Sequence, residues 1–332
     1  MSTTLRSNNP KGDVLPMGSF NELLSANRTS IMGCAIVAIM LFHQPFFHGN
    51  VFVEGFHLFG HWGVDIFLLI SGFGIVNSLR KNSLKQYFRN RASRLLPVCL
   101  FVGGCKALLM LVGFVNYASY GDDYFLIVTQ LSMWYVYAIV IYYMLAPAVY
   151  RLLLSYGRWV MVGVCILSFA LSFIPFKASS LYLVGITGLV VGRLPAFVFG
   201  MYLALYPSSR WSMRRIFIVG IIALTVCMTM RIVGMPGYLR IIYILLLGAL
   251  PMLSVLATFI ARGLQRIGCA GVVDYLGRCS LEIYLWHGFV FLNISTHPMF
   301  AELSIWPKTL VALALSLTFA FATHAIFTTK RG

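Results

Sequence analysis

Apolar runs long enough to cross a bilayer recur along almost the whole chain and limit the folds it can adopt. Of the 332 residues, 60% are hydrophobic and only 10% are charged, whereas about a quarter of the residues in soluble domains are charged. Runs of roughly 20 apolar residues are typical of membrane-spanning helices. The sequence therefore predicts an all-α, polytopic membrane protein.

These runs divide the chain into about ten predicted transmembrane helices. They are placed at residues 29–47, 62–79, 95–115, 124–145, 159–176, 181–205, 216–233, 240–260, 279–296 and 307–326. We expect residues 1–27 to form a cytoplasmic tail, 28–328 a single transmembrane domain, and 329–332 a second cytoplasmic tail. No apolar run near the start indicates a cleavable signal peptide, so the first helix should be retained.

The positive charge of the chain fits a topology with both termini in the cytoplasm. There are 25 lysines and arginines against 9 acidic residues, a net charge of +16 at pH 7. In this topology most of the cations lie in cytoplasmic segments. The exceptions are Lys106, Lys177, Arg193, Arg231, Arg240 and Lys308. The positive-inside rule accounts for this bias, so we expect no nucleic-acid partner.

Seven cysteines are scattered through the chain, mostly inside apolar runs. They form no CxxC pair and no Cys/His cluster with metal-ligand spacing. Small buried apolar residues are the simpler interpretation. The sequence thus predicts neither a disulfide framework nor a metal site.

Two ionisable residues mark the first two predicted helices. His43 lies near the end of the first, and Asp65 lies about one turn into the second. Ionisable groups in apolar runs are costly and are functional candidates by default. Two alternatives remain open: a histidine that bonds a neighbouring helix, and an aspartate satisfied by backbone N–H groups at a helix start. The intervening loop adds His48, His57 and His61.

A dense basic segment, Arg80 to Arg94, separates the second and third predicted helices. We expect this segment to be a cytoplasmic loop. Arg91 and Arg94 are three residues apart, so on a helix they share one face and could bind a phosphate-bearing ligand. The alternative is anchoring to anionic lipid.

Ionisable and aromatic residues also lie within later helices, at Arg193, Glu282, Tyr284 and His287. Tyr284 and His287 are three apart and share a helix face, whereas Glu282 and His287 are five apart and do not share one cleanly. A polar stripe of Ser280, Tyr284 and His287 that lines a central cavity is one interpretation. Hydrogen bonding between helices is the other, for His287 and for Lys106 in the third predicted helix.

Taken together, seven patches of the sequence resemble acyltransferase family 3, a largely bacterial family of ten-helix membrane enzymes that O-acylate cell-surface glycans. The patches are His43, Gly63-Val64-Asp65-Ile66-Phe67, Ser71-Gly72-Phe73, Tyr87 to Pro97, Met133-Trp134-Tyr135 with Tyr142-Tyr143 and Pro147, Arg193-Leu194-Pro195-Ala196-Phe197 with Gly200, and Ser280 to His287. Their order and spacing cover the chain from about residue 28 to residue 326.

The resemblance implies transfer of an acyl group, usually acetyl, from cytosolic acyl-CoA to a glycan hydroxyl at the bacterial inner membrane. It assigns the role of catalytic base to His43 and a role at the donor or in active-site support to Arg91 and Arg94. Asp65 or a backbone carbonyl would orient the histidine ring. The implied partners are acetyl-CoA as acyl donor, a polysaccharide or lipid-linked sugar as acceptor, and the lipid bilayer, with no bound cofactor.

Further residues in or beside the matching patches are assigned to donor binding or active-site support: Arg28, Ser71, Trp134, Arg193, Glu282, Tyr284 and His287. One position departs from the family pattern. An arginine or lysine usually precedes the histidine by eleven residues, and Met32 stands there. Arg28, one turn earlier, is the candidate substitute, although helical side chains lean toward the N-terminus and so away from His43.

We therefore expect an integral membrane O-acyltransferase in which neutral His43 removes the proton of the acceptor hydroxyl as that oxygen attacks the thioester. A covalent acyl-histidine is the mechanistic variant. The alternative from another class is a secondary transporter or flippase for a sugar or lipid-linked sugar. Paired half-helices broken by Gly or Pro would be expected of a transporter, and the sequence shows no such symmetry. A purely structural subunit would explain none of the seven patches.

Overall fold

The structure is a computed structural model that describes residues 20–43, 62–113, 134–173, 181–207, 212–235 and 238–328. Helices account for nearly all of these residues. They are α1 (Phe20–Ala26), α2 (Arg28–Phe42), α3 (Gly63–Lys81), α4 (Leu84–Leu111), α5 (Trp134–Tyr156), α6 (Arg158–Leu171), α7 (Leu181–Leu205), α8 (Met213–Ile232), α9 (Tyr238–Arg266), α10 (Ala270–Arg278), α11 (Ser280–Thr296) and α12 (Ile305–Thr328). A 3-10 turn, Pro298–Phe300, precedes α12. These ranges contain no β-strand.

Seven of the described helices are long and apolar enough to cross a membrane: α3, α4, α5, α7, α8, α9 and α12. Helices α1 and α2 meet at a bend of 74° and would add an eighth if they form one span. Each of the predicted segments overlaps a described helix. The prediction of an all-α, polytopic membrane protein is confirmed. The count of ten spans and the cytoplasmic location of the termini stay predictions.

The basic segment expected to be a loop is largely helical. Only Asn82 and Ser83 separate α3 from α4, and the Ser83 hydroxyl caps α4 by accepting the Gln86 backbone N–H at 3.3 Å. Lysine, arginine and glutamine are good helix formers, so the cap starts a helix that continues into the apolar run. Arg91 and Arg94 therefore lie on a defined helix face.

Two short helices were not predicted from the sequence. Helix α1 lies within the expected tail, and its Phe20 and Leu24 side chains are buried. Helix α10 lies between the eighth and ninth predicted segments. Each is shorter than 18 residues, and so too short to register as a membrane span by hydrophobicity.

Helices α3 and α7 cross at backbone contact because each supplies a glycine. A Cβ atom on Gly72 would collide with the carbonyl oxygen of Phe197, and one on Gly200 would collide with that of Leu69. Small residues permit this approach between membrane helices. The contact fixes α3, whose first half is buried almost completely.

Close backbone contacts at glycines also hold helix α2 between α3 and α10. A Cβ on Gly33 would meet the carbonyl oxygen of Val273, and one on Gly277 would meet that of Thr29. On the other side, a Cβ on Gly63 would lie 2.6 Å from the Ala35 carbonyl oxygen. These contacts set the direction of α2, and so the position of His43 at its end.

Candidate active site

His43 follows the last residue of α2, where the helical hydrogen bonds stop. Its backbone N–H donates to the Ile39 carbonyl at 3.1 Å, and its ring Nδ1 lies 2.9 Å from the same oxygen. The side chain is half-buried. A carbonyl of its own helix therefore orients the ring, which is one of the two options expected from the sequence.

A second histidine contacts this ring from α11. His287 Nε2 lies 3.3 Å from His43 Nδ1, and the ring centroids are 4.9 Å apart at an interplanar angle of 70°. His287 is 1% exposed. Its Nδ1 lies 2.7 Å from the Tyr284 carbonyl oxygen and 3.1 Å from that of Ile283. The structure thus joins two predicted site residues that are 244 positions apart.

At the opposite end of α2, three arginines face one pocket. Arg28 comes from α2, and Arg91 and Arg94 come from α4. The other described lining residues are Met32, Phe67, Ser71, Leu95, Tyr135, Ile139, Tyr143, Ser280, Leu281 and Tyr284, with no carboxylate among them. Within the described residues, Arg28 Nε and Arg91 Nε are buried without a hydrogen-bond partner. This pocket is suited to an anionic ligand.

The surroundings of Arg28 and Arg91 hold these two side chains toward the pocket. A Cβ on Gly74 would lie 3.0 Å from the Arg28 guanidinium, so glycine leaves room for this side chain. The Arg91 guanidinium lies 5.8 Å from the Tyr87 ring centroid and 5.5 Å from that of Tyr143, distances typical of cation–π contacts. Met32 lines the same pocket, so Arg28 supplies a cation where Met32 does not.

A layer of rings lies between the arginine pocket and the histidine pair. Tyr135 is 6.0 Å from Phe67 and 4.9 Å from Tyr284, measured between ring centroids, and Tyr284 is 5.3 Å from His287. Tyr284 therefore contacts His287 and also lines the pocket. At 1.5 Å per residue, the start of α2 at Arg28 and its end at His43 are about 22 Å apart.

Asp65 pairs with Arg193 in this structure. Arg193 Nη1 donates to Asp65 Oδ2 at 2.8 Å, and the guanidinium lies 4.8 Å from the ring centroids of both Trp134 and Tyr243. Three predicted site residues, Asp65, Trp134 and Arg193, thus form one cluster around a buried ion pair, and with Tyr243 it ties α3, α5 and α7 to α9. The catalytic role of Asp65 stays a prediction.

Glu282 belongs to a third cluster. Its Oε1 lies 3.1 Å from Nδ1 of His324 on α12, whereas Tyr284 and His287 face α2 and α5. Nearby, Lys106 Nζ donates to the Leu285 carbonyl at 2.7 Å. The separation of Glu282 from His287 agrees with their spacing of five residues. Lys106 thus makes the interhelical hydrogen bond that was the alternative interpretation for it, and Glu282 also pairs with a neighbouring helix.

Some contacts of the site were not found by sequence reasoning. Tyr135 and Tyr143 belong to matching patches but were given no role, and their packing against the arginine pocket requires the fold. His324 is an ionisable residue in an apolar run, a signal that was available. Tyr243 had no signal, because an aromatic residue in a membrane helix is ordinary. His48, His57 and His61 lie outside the described residues.

Among the described residues, no group of three His, Cys, Asp or Glu side chains is placed to hold a metal ion. A comparison with protein families matches residues 32–325 to the acyltransferase family 3 model, described as an acyltransferase domain. No curated protein and no solved structure matches the chain. The family match extends from the second turn of α2 to the last turn of α12 and confirms the resemblance seen in the sequence. The chain belongs to acyltransferase family 3 and is a multi-pass membrane acyltransferase.

Proposed function

We propose that this acyltransferase moves an acyl group from acyl-CoA to a hydroxyl of a cell-surface or lipid-linked glycan, with His43 as general base. Acetyl is the acyl group we propose. The location proposed is the bacterial inner membrane. The observation that carries the proposal is the arrangement along α2, which has a pocket of arginines at its start and a paired histidine at its end.

The arginine pocket supports an acyl-CoA donor because its chemistry matches the phosphates of CoA. Arg28, Arg91 and Arg94 gather positive charge with no carboxylate among the described lining residues. Guanidinium groups bind phosphate through charge-assisted, often bidentate hydrogen bonds. Under the predicted topology this end of the bundle faces the cytosol, where acyl-CoA is found. The thioester would then extend between the helices toward Tyr284.

The histidine supports the chemical step because a neutral imidazole can take the proton of an attacking hydroxyl. The acceptor O–H bond breaks as its oxygen forms a bond to the thioester carbon. The carbon–sulfur bond then breaks, and the proton held by His43 passes to the leaving thiolate of CoA. The products are an O-acyl ester and free CoA, and His43 returns to its neutral form.

The deciding experiment measures both products with purified protein in lipid nanodiscs. Acetyl-CoA is supplied with a panel of candidate glycans, free thiol is measured, and the glycan mass is recorded. We expect acceptor-dependent release of CoA and a glycan heavier by one acetyl group. His43→Ala should lower the rate by about 10²–10⁴-fold, the usual contribution of a general base.

His297→Ala is the matched control, because His297 follows the end of α11 and its ring bonds the Met299 backbone N–H. This variant should retain wild-type activity. Movement of a sugar across the membrane by wild-type protein without consumption of acyl-CoA would favour the transporter alternative. Equal transfer by His43→Ala and wild type would show that the base is another group.

A further inference from the structure

We propose that His287 is a positioning residue for His43: it accepts the Nδ1–H of His43 and so holds the ring with Nε2 as the proton-accepting nitrogen. This inference rests on the proposed role of His43 as base. It assigns a specific task to the second histidine, whose ring lies beside the base and behind the ring of Tyr284.

The protonation of His287 follows from its neighbours. Its Nδ1 faces two carbonyl oxygens of its own helix, those of Tyr284 at 2.7 Å and Ile283 at 3.1 Å. Carbonyl oxygens only accept hydrogen bonds, so Nδ1 must carry the hydrogen. In the neutral imidazole the other nitrogen then carries the lone pair. His287 Nε2 is therefore an acceptor, directed at His43.

The protonation of His43 follows in turn. Its Nδ1 lies 2.9 Å from the Ile39 carbonyl oxygen and 3.3 Å from His287 Nε2. Both neighbours are acceptors, so Nδ1 carries a hydrogen that the two share. The lone pair of neutral His43 is then on Nε2. The hydrogen bonds run in one direction, from His43 through His287 to the α11 backbone, and they assign the tautomers of both rings.

His287 has a task that the Ile39 carbonyl alone does not perform. Ile39 is one turn back on the same helix, at the end of α2, so it fixes the ring relative to α2 only. His287 belongs to α11 and is buried, so its nitrogen fixes the ring relative to the rest of the bundle. A histidine that orients a reacting histidine in this way resembles the buried carboxylate of a catalytic triad in its role.

His287 neither gains nor loses a proton during the proposed step. As Nε2 of His43 takes the acceptor proton, the ring becomes an imidazolium whose Nδ1–H still donates to His287 Nε2 and the Ile39 oxygen. His287 keeps its own Nδ1–H on the α11 carbonyls. The proton on His43 Nε2 then passes to the CoA thiolate. His287 thus stabilises the charged ring by accepting a hydrogen bond and does not contact the reacting atoms.

Two substitutions separate this task from simple packing. His287→Phe keeps a ring of similar size but has no acceptor, whereas His287→Gln retains an amide oxygen that can accept the Nδ1–H of His43. Loss of the hydrogen-bond partner of a metal-ligating histidine typically costs about 10–100-fold, and we expect a loss of similar size for the partner of His43. We expect kcat to fall by about that factor in His287→Phe, with the KM for acyl-CoA unchanged, and part of it to return in His287→Gln. His297→Phe is the control.

A second readout does not depend on activity. In protein with ¹⁵N-labelled histidine, NMR of wild type above the titration range of the ring should show His43 protonated at Nδ1 and unprotonated at Nε2. The His287→Phe spectrum should show a share of the opposite tautomer, with His287→Gln closer to wild type. If His287→Phe fails to fold, the wild-type spectrum still tests the inference, because neutral His43 protonated at Nε2 and not at Nδ1 would contradict it.

The outcomes separate this inference from the proposed function. If His43→Ala is inactive but His287→Phe keeps the wild-type kcat and the wild-type His43 spectrum, His287 is a packing residue and only the present inference is wrong. If His43→Ala is fully active, the assignment of the base itself is wrong. A rise in donor KM at unchanged kcat in His287→Phe would also contradict the inference, since it would make His287 a donor-binding residue.

Discussion

Asp65 on α3 and Arg193 on α7 form an ion pair inside the helix bundle, with 2.8 Å between Asp65 Oδ2 and Arg193 Nη1 and side-chain exposures of 3% and 2%. The rings of Trp134 and Tyr243 lie on the same guanidinium. An ion pair this deeply buried removes both charges from water, so either charge would be very unfavourable without the other.

The first prediction is that single substitutions in this pair destabilise the protein more than joint replacement. Asp65→Leu or Arg193→Leu leaves one buried charge without its partner and should cost about 3–5 kcal/mol. The double variant removes both charges and should be more stable than either single variant. Thermal unfolding in nanodiscs measures this. A stable Asp65→Leu variant with no acyl transfer would instead support a catalytic task for Asp65.

The second prediction concerns the donor. Arg91→Gln with Arg94→Gln should raise the KM for acyl-CoA because two of the three pocket guanidinium groups are lost. Arg89→Gln is the matched control, since Arg89 is exposed on the same helix and does not line the pocket. Unchanged donor kinetics in the double variant would indicate that the basic segment anchors the protein to anionic lipid and does not bind the donor. Unfolding temperatures recorded in parallel separate loss of binding from loss of structure.

The third prediction tests whether Arg28 compensates for the apolar residue at position 32. Both residues line the arginine pocket, so a cation at either position can reach the same ligand. Arg28→Met should weaken donor binding, and adding Met32→Arg to that variant should restore part of it. Titration of the purified variants with acyl-CoA gives the dissociation constants. If Met32→Arg does not restore donor binding, a cation is required at position 28 and one at position 32 cannot replace it.

The fourth prediction is the pH dependence of transfer. The protonated ring of His43 cannot accept a proton, so kcat/KM should fall as the pH is lowered through the range in which the base titrates. The acid limb should persist in His324→Asn, because His324 pairs with Glu282 away from the histidine pair. If the acid limb disappeared in that variant, the group whose protonation lowers kcat/KM would be His324 on α12 and not His43.

The fifth prediction is the topology. A reporter placed at the link between α3 and α4, residues 82–83, should be cytoplasmic, and one near Asp122 and Asp123 should lie on the other side. The positive-inside rule gives this orientation, since the basic segment at the link would otherwise face outward. A cytoplasmic signal near Asp122 would overturn both the orientation and the proposed side of donor entry.

Much of the fold could be predicted because apolar runs report membrane helices directly. The boundaries were less predictable where polar sequence is helical: α4 begins at Leu84 through the Ser83 cap, eleven residues before the predicted start of that helix at residue 95. The pairing of His43 with His287 had no local signal, since 244 residues separate them. Likewise, nothing near Asp65 in the sequence identifies Arg193 as its partner, because the packing of α3 against α7 decides that contact.

The reciprocal glycines of α3 and α7 have a practical consequence for mutational screens. In an alanine scan, Gly72→Ala and Gly200→Ala would each drive a methyl group into a backbone carbonyl of the other helix. Both variants would score as loss-of-function hits, and Gly72 stands directly beside Ser71 in a patch that matches the family. Neither position has a side chain able to take part in the reaction. A screen that measures the activity of this enzyme but not its abundance would therefore mistake two helix-packing positions for catalytic residues.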